Sequence, residues 1–159
     1  MIHYKKALLK LKKNKIKIYS ENVSAENSFN RISAVNLNSP NNYPAANNTA
    51  FDGFAINSKE TKNLSKKKSL KFKIIKTLAA GDNPSIKKIP KFSAIEVMTG
   101  AVIKKPFDTI IPIEQARFFS RRTKQKYLII NKKIKINNFI RFTGSYFKKS
   151  EIVIKKEKL

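Results

Sequence analysis

The spacing of apolar and polar positions predicts an amphipathic helix at the N-terminus. Its apolar residues recur every three or four positions, with lysines between them: Tyr4, Ala7, Leu8 and Leu11. A second helix is predicted over residues 24–34. There Ser24 is a good N-cap, and Glu26 in the first turn favours the helix dipole.

The rest of the chain has the pattern of short strands. Leu70, Phe72 and Ile74 alternate with lysines, which predicts a half-buried strand. Continuous apolar runs at 94–98 and 109–113 predict buried strands. Weaker patterns predict further extended segments: 15–18, 35–37, 54–56, 127–130, 134–140 and 151–154. We predict that 127–130 and 134–140 are the arms of a hairpin, and that the polar stretches at 39–48, 59–68 and 117–126 are loops or excursions.

This order predicts an α+β fold. Helices come first, many short strands follow, and a last strand returns at the end of the chain. A length of 159 residues allows one domain or two small ones. The β-rich middle is therefore predicted to be inserted between the N-terminal helices and the C-terminal strand.

The composition excludes several kinds of site. The absence of cysteine excludes disulfides, thiolate metal sites and a cysteine nucleophile. A single histidine, His3, excludes a multi-histidine metal centre. No apolar stretch approaches the length of a membrane helix, and no signal peptide precedes the first helix, so we expect a cytoplasmic protein.

The net charge of +25 raises the hypothesis of a nucleic-acid or anionic-membrane binder. Against it, the basic residues are spread along the whole chain and only five of the 35 are arginine, the better phosphate and base reader. Lys, Ile and Asn together make up 67 of the 159 residues, a composition that an AT-rich coding sequence also produces. Nucleic-acid binding therefore stays the third hypothesis for function.

Three blocks of sequence carry a resemblance to a known family. The first is Asn-Thr-Ala-Phe-Asp-Gly-Phe-Ala at 48–55, preceded by Pro44. The second joins Ala-Ala-Gly-Asp at 79–82 to Met-Thr-Gly-Ala at 98–101. The third is Asn137–Gly144 together with the later strand Ile152-Val153-Ile154. In this order and spacing the blocks resemble the N-terminal region of the molybdopterin molybdenumtransferase family, MoeA-like proteins to which the gephyrin E domain is related.

The resemblance implies an activity and an architecture. Members of the family insert molybdate into adenylylated molybdopterin with a divalent cation, usually magnesium, and work as elongated dimers. It implies a helix-and-strand subdomain, here 1–45 plus 139–159, with a β-rich subdomain, 46–138, inserted in it. The region would face the pterin-binding domain of a second chain, so the implied partners are that domain and molybdopterin.

The resemblance also implies a site. Asp52 and Thr99 match family residues with catalytic roles, and Asp52 is the candidate metal ligand. Four further residues are candidates for cofactor binding: Asn48, Thr49, Gly100 and Arg141. We expect Asp52 and Thr99, although 47 positions apart, to converge on a common rim. Without the resemblance, each has a simpler interpretation as an ordinary turn or loop residue.

Several positions depart from the family pattern. Where the family has Gly-Glu-Asp, this chain has Gly144-Ser145-Tyr146, and Asn47 replaces an aspartate. Of the arginines before that glycine, only Arg141 remains. The lost carboxylates would weaken a magnesium site. The chain also ends before a pterin-binding domain, so we expect activity only with such a domain supplied elsewhere. A non-catalytic remnant or interaction module of the same fold is the alternative, and whether the chain is an enzyme stays open.

Overall fold

The structure is a computed structural model that describes residues 2–14, 16, 18–64, 68–120 and 126–157, without the side chains of 118–120. The chain divides into two compact units. One contains the residues up to Leu37 and those from Ile154 onward, and the other is Asn38–Val153. No helix among the described residues has the length and apolarity to cross a membrane.

The regular elements follow one another in a simple order. The α-helix is Tyr4–Lys13 (α1), and short 3₁₀ helices cover Ala25–Asn27, Ser58–Thr61 and Ile113–Gln115. The strands are Leu37–Asn38 (β1), Asn48–Thr49 (β2), Gly53–Ile56 (β3), Leu70–Leu78 (β4), Ser93–Val97 (β5), Thr109–Pro112 (β6), Arg117–Ser120 (β7), Lys126–Ile130 (β8), Ile140–Arg141 (β9) and Ile152–Ile154 (β10).

None of the described residues of the first unit is buried. Helix α1 forms where it was predicted, but none of its residues is buried. The predicted second helix over 24–34 is wrong, since only the 3₁₀ turn Ala25–Asn27 forms. Two features oppose a longer helix: the Ser28 hydroxyl donates to the Ala25 carbonyl at 2.6 Å, and Asn30 adopts a left-handed φ of 61°. Of the strand predicted at 15–18, Ile16 and Ile18 are not in a strand, while Lys15 and Lys17 lie outside the described residues.

A six-stranded sheet organises the second unit. Its order is β6-β3-β5-β4-β8-β7, in which β4 and β5 are parallel and the other neighbours antiparallel. Two small pairs accompany it, β2 with β9 and β1 with β10.

The core lies on both faces of this sheet. In β3, Phe54 and Ile56 belong to one buried cluster, while Ala55 between them belongs to another. In the same way Ala94 and Ile95 of β5 belong to opposite clusters. A strand covered on both faces needs apolar residues at every position, which is why the runs at 94–98 and 109–113 were correctly predicted as buried strands.

The predicted hairpin is wrong in its second arm. Strand β8 does form, but it pairs with β4 and β7. Residues 134–139 are irregular because Asn137 and Phe139 adopt left-handed φ values of 64° and 55°, which interrupts the apparent alternation. The real hairpin partner, β7, lies inside the predicted polar excursion 117–126, of which 121–125 lie outside the described residues.

The described part of the chain is thus mostly β, with one α-helix. The predicted α+β class, with helices at the N-terminus, is confirmed only in part.

Candidate functional site

Three distant segments of the second unit meet at the end of the sheet where β3 begins and β5 ends. The Gly100 amide donates to the Thr49 carbonyl at 2.9 Å, and the Thr49 amide donates to the Ala101 carbonyl at 3.0 Å. The Ala50 amide donates to the Phe139 carbonyl at 2.9 Å. Strand β2 also pairs with β9, which sets Asn48 opposite Arg141. These backbone bonds hold the three segments that contain all six predicted site residues.

Asp52 and Thr99 are in direct contact. The Oδ1 atom of Asp52 accepts one hydrogen bond from the Thr99 amide at 2.6 Å and a second from the Thr99 hydroxyl at 2.8 Å. Both bonds lower the pKa of the Asp52 carboxyl, because they stabilise its ionised form. The bond from the Thr99 amide has the larger effect, and the bond from the Thr99 hydroxyl has the smaller. The Oδ2 atom has no hydrogen-bond partner within the described part of the chain. The two residues therefore form an exposed rim with an ionised carboxylate.

Gly53 explains how this carboxylate is placed. A Cβ atom on Gly53 would lie 2.1 Å from the Ile111 carbonyl oxygen of the neighbouring strand. The Ile113 amide also donates to the Asp52 carbonyl at 3.0 Å. The main chain of β3 can approach β6 this closely only with glycine at position 53, and Asp52 is fixed as the residue before it.

Thr49 supports the loop from within. It is fully buried, its hydroxyl donates to the Phe51 carbonyl at 2.5 Å, and the same oxygen accepts from the Phe51 amide at 3.2 Å. The Thr49 hydroxyl is thus engaged in a turn that holds the loop. The neighbouring Asn48 has a buried Oδ1 atom with no hydrogen-bond partner among the described residues.

The amides around Gly100 are already engaged. Thr99 donates to Asp52, Gly100 donates to Thr49, and the Ala101 amide donates to the Met98 carbonyl at 2.9 Å. These three amides are therefore not free to bind an oxyanion. Arg141, which forms no ion pair within the described ranges, is the cationic residue of these three segments, and it lies opposite Asn48.

The Ala-Ala-Gly-Asp turn is structural. The Asp82 Oδ2 atom accepts from the Ala79 amide at 2.8 Å, and the Asp82 amide donates back to the Ala79 carbonyl at 3.2 Å. The turn lies against the Met-Thr-Gly-Ala segment, since an added Cβ on Gly100 would be 3.3 Å from the Ala80 Cβ. This contact explains physically why the two motifs occur together. Glu114 is exposed in the 3₁₀ helix Ile113–Gln115.

Sequence reasoning missed the part played by Asn47. Its Oδ1 atom accepts from the Thr143 amide at 2.8 Å, and its carbonyl accepts from the Ile103 amide at 2.9 Å. Asn47 thus links its own segment to the other two. An aspartate could accept the same bond, so the substitution removes a charge without removing the link. The position of Asn47 just before the motif was the available signal.

The described residues contain no cluster of metal-binding side chains. No group of three or more His, Cys, Asp or Glu side chains comes together in them. Asp52 is the single carboxylate of the three segments, and Ser145 and Tyr146 occupy the positions where the resemblance implies two more. Tyr146 instead packs near Tyr43, with ring centroids 5.7 Å apart.

Comparisons with known proteins identify what the chain is similar to. The family model for the "MoeA N-terminal region (domain I and II)" matches residues 2–159. A molybdopterin molybdenumtransferase of Staphylococcus epidermidis is 30% identical over 155 residues, which is 98% of this chain and 36% of the relative. The corresponding Bacillus subtilis protein is 27% identical over 137 residues, or 86% of this chain and 31% of the relative. A crystal structure of the molybdopterin biosynthesis MoeA protein of Pyrococcus horikoshii matches with a TM-score of 0.78 and 26% identity, covering 97% of this chain and 38% of that one.

Proposed function

Because this chain belongs to the family of MoeA N-terminal regions, we propose that it supplies the N-terminal part of a molybdopterin molybdenumtransferase. The proposed reaction inserts molybdate into adenylylated molybdopterin during molybdenum cofactor biosynthesis in the cytoplasm. The chain spans about a third of the length of the curated relatives it matches. The proposed activity therefore belongs to this region acting together with a pterin-binding domain.

The observation that carries the proposal is the rim of Asp52 and Thr99. Two hydrogen bonds from Thr99 fix the Asp52 carboxylate and lower its pKa, so it is ionised at neutral pH while exposed to an incoming group. Its Oδ2 atom is left to accept a hydrogen bond from a protonated oxygen of molybdate, from water or from the substrate. We assign Asp52 the role of orienting the group that reacts, and Thr99 the role of holding Asp52.

Arg141 is proposed to attract the anionic substrate. Molybdate and the phosphates of molybdopterin are anions, and a guanidinium group suits their oxygens in charge and geometry. Arg141 lies opposite Asn48, on the segment that leads to Asp52. In this proposal Thr49 and Gly100 shape the loops, and Asn48 lies opposite Arg141 with its amide oxygen buried. The proposal includes no magnesium ligand other than Asp52 from this chain.

The first unit supports a proposal about assembly. None of its described residues is buried, and several large apolar side chains are almost wholly exposed, including Ile16 at 87%, Ile18 at 90% and Phe29 at 84%. Apolar surface of this kind is stabilised when another surface covers it. We propose that a second copy of the chain does so, which gives a homodimer.

A gene deletion tests the proposed reaction. Cells that lack the gene should accumulate adenylylated molybdopterin without molybdenum, and the wild-type gene should restore the metal-loaded cofactor. The readouts are the molybdenum content per molybdopterin and the amount of the adenylylated form. A fully metal-loaded cofactor in the deletion strain would favour the alternative, a non-catalytic module of the same fold that has lost two carboxylates.

A further inference from the structure

A second candidate site lies at the opposite end of β5 from Thr99. Strand β5 begins at Ser93 and ends at Val97, just before the Met-Thr-Gly-Ala segment. At its beginning is a cleft of about 280 Å³. Ligand pockets start near roughly 300 Å³, so this cleft suits a small molecule. Its lining joins polar and apolar side chains from three segments: Asn57 and Glu60; Ile89, Pro90, Lys91 and Ser93; Pro106 and Phe107.

The cleft contains two opposite charges that do not neutralise each other. Glu60 is anchored because its Oε2 atom accepts from the Phe92 amide at 3.0 Å. Across the ranges that the structure describes, neither Glu60 nor Lys91 forms an ion pair. A carboxylate and an ammonium group held in one cleft without pairing can each bind the opposite charge of a single ligand.

One residue of the lining, Ser93, carries a buried polar atom without a partner among the described residues. Ser93 is only 2% exposed, and its buried hydroxyl has no hydrogen-bond partner among the described residues. An unsatisfied buried hydroxyl is unfavourable, so its presence in a cleft points to a partner supplied from outside. Beside it, Phe107 is 5% exposed and provides an apolar wall with Ile89.

The backbone between the charged and the hydroxyl residue is strained. Phe92 adopts a φ of 54°, a left-handed conformation that is rare for a bulky residue. This conformation sets Lys91 and Ser93 on the same cleft while the Phe92 amide anchors Glu60. Strain of this kind concentrates at binding sites, where surrounding contacts maintain it.

We propose that this cleft binds a small zwitterion of the amino-acid class with an aliphatic side chain. The ligand ammonium group binds Glu60, its carboxylate binds Lys91 and the Ser93 hydroxyl, and its side chain packs against Phe107 and Ile89. A phosphate is disfavoured because Glu60 would repel it. A metal ion is disfavoured because the cleft offers one carboxylate and a cation.

An NMR titration with L-leucine as the probe tests this site. The ¹H–¹⁵N spectra of the full chain are followed as leucine is added, and the expected result is saturable shifts confined to the cleft segments. Two analogues separate the charges: 4-methylpentanoate lacks the ammonium group and 3-methylbutylamine lacks the carboxylate. Each should bind at least about tenfold more weakly than leucine, since each leaves one charged group of the cleft without its partner.

Matched variants distinguish the cleft from general surface effects. Glu60→Gln keeps an acceptor for the Phe92 amide but removes the charge, and Lys91→Gln removes the other charge. Each should weaken leucine binding at least about tenfold. The control, Lys87→Gln, makes the same change at an exposed lysine outside the lining and should leave binding unaltered. Asp52→Asn should also leave it unaltered, so the result is independent of the activity proposed for the Asp52 rim.

Three results would overturn the proposal. The first is the absence of saturable shifts up to roughly 50 mM leucine, where a millimolar ligand is nearly saturating. The second is equal binding of leucine and the two analogues. The third is an equal loss of binding in the Lys87→Gln control. Any of them would contradict a zwitterion site in this cleft.

Discussion

Replacing Gly53 with alanine tests the close approach that places the candidate site. The new Cβ atom would lie 2.1 Å from the Ile111 carbonyl oxygen and 2.9 Å from both the Ile111 carbonyl carbon and the Pro112 Cα. All three atoms belong to the backbone of β6, so no side-chain rotation can relieve the clash. Since β3 is hydrogen-bonded on both sides, to β5 and β6, separating the strands breaks ladder bonds.

The expected cost can be set against a matched glycine. Overpacking in a well-packed core costs about 1–3 kcal/mol, and more where the neighbours are rigid, so we expect Gly53→Ala to cost at least about 3 kcal/mol. Gly81→Ala is the control, because its added Cβ meets nothing within 4 Å and only its positive φ of 90° opposes the change. That conformational strain costs roughly 1–2 kcal/mol.

Urea unfolding followed by far-UV circular dichroism measures both variants. The Gly53 variant should unfold at clearly lower urea concentration than the Gly81 variant, with the wild type above both. If Gly53→Ala were as stable as Gly81→Ala, the β3–β6 approach would be wrong, and with it the placement of Asp52.

Three further predictions concern the rim, the core and the first unit. Thr99→Val removes one of the bonds that lower the pKa of Asp52, so that pKa should rise towards its ordinary value, while Thr99→Ser should keep it low. A ¹³C titration of the Asp52 carboxyl measures this pKa. An unchanged titration midpoint in the valine variant would contradict the prediction. Because the folded-state pKa is lowered, the stabilisation from this pair is present above the unfolded-state pKa and is lost as the pH falls through the folded-state pKa, a loss that Thr99→Val should reduce. Thr61→Val should lower the free energy of unfolding by about 1–3 kcal/mol, since the fully buried Thr61 hydroxyl accepts a hydrogen bond from the Ile134 amide at 3.0 Å. Thr61→Ser keeps that bond and is the control. Equal urea midpoints for the two variants would refute the reasoning. Leu11→Lys on the exposed face of α1 should weaken the proposed homodimer in sedimentation velocity, and a monomeric wild type would rule the dimer out.

Local periodicity was sufficient to predict a helix or strand where the surroundings of the segment are uniform along its length. Helix α1 and strand β4 follow directly from spacing, and β5 and β6 follow from continuous apolar runs. It failed where single residues take left-handed conformations, as at Asn30 and Asn137. The pairing of β8 could not be predicted either, because strand partners are decided by contacts between residues distant in sequence.

The candidate site was predictable in its residues but not in its bonding. The motifs identified Asp52 and Thr99, and their contact depends on the register that sets Gly53 opposite Val97. No sequence pattern states which amides are free, so the engagement of the Gly100 amide by Thr49 emerged only from the fold. The bond from the Thr143 amide to Asn47 was likewise not predicted, because from the sequence Asn47 was interpreted only as the loss of a charge.

The most direct test of the proposed function is a charge removal at the rim. Asp52→Asn, introduced at the gene's own locus, can retain the acceptor for both Thr99 bonds but loses the negative charge. Asp82→Asn makes the same chemical change in the structural turn and is the matched control. With molybdenum per molybdopterin as the readout in intact cells, we predict a fall of roughly a hundredfold in the rate of metal insertion for Asp52→Asn and little change for Asp82→Asn. Equal, near-wild-type insertion by both variants would contradict a working role for the Asp52 carboxylate.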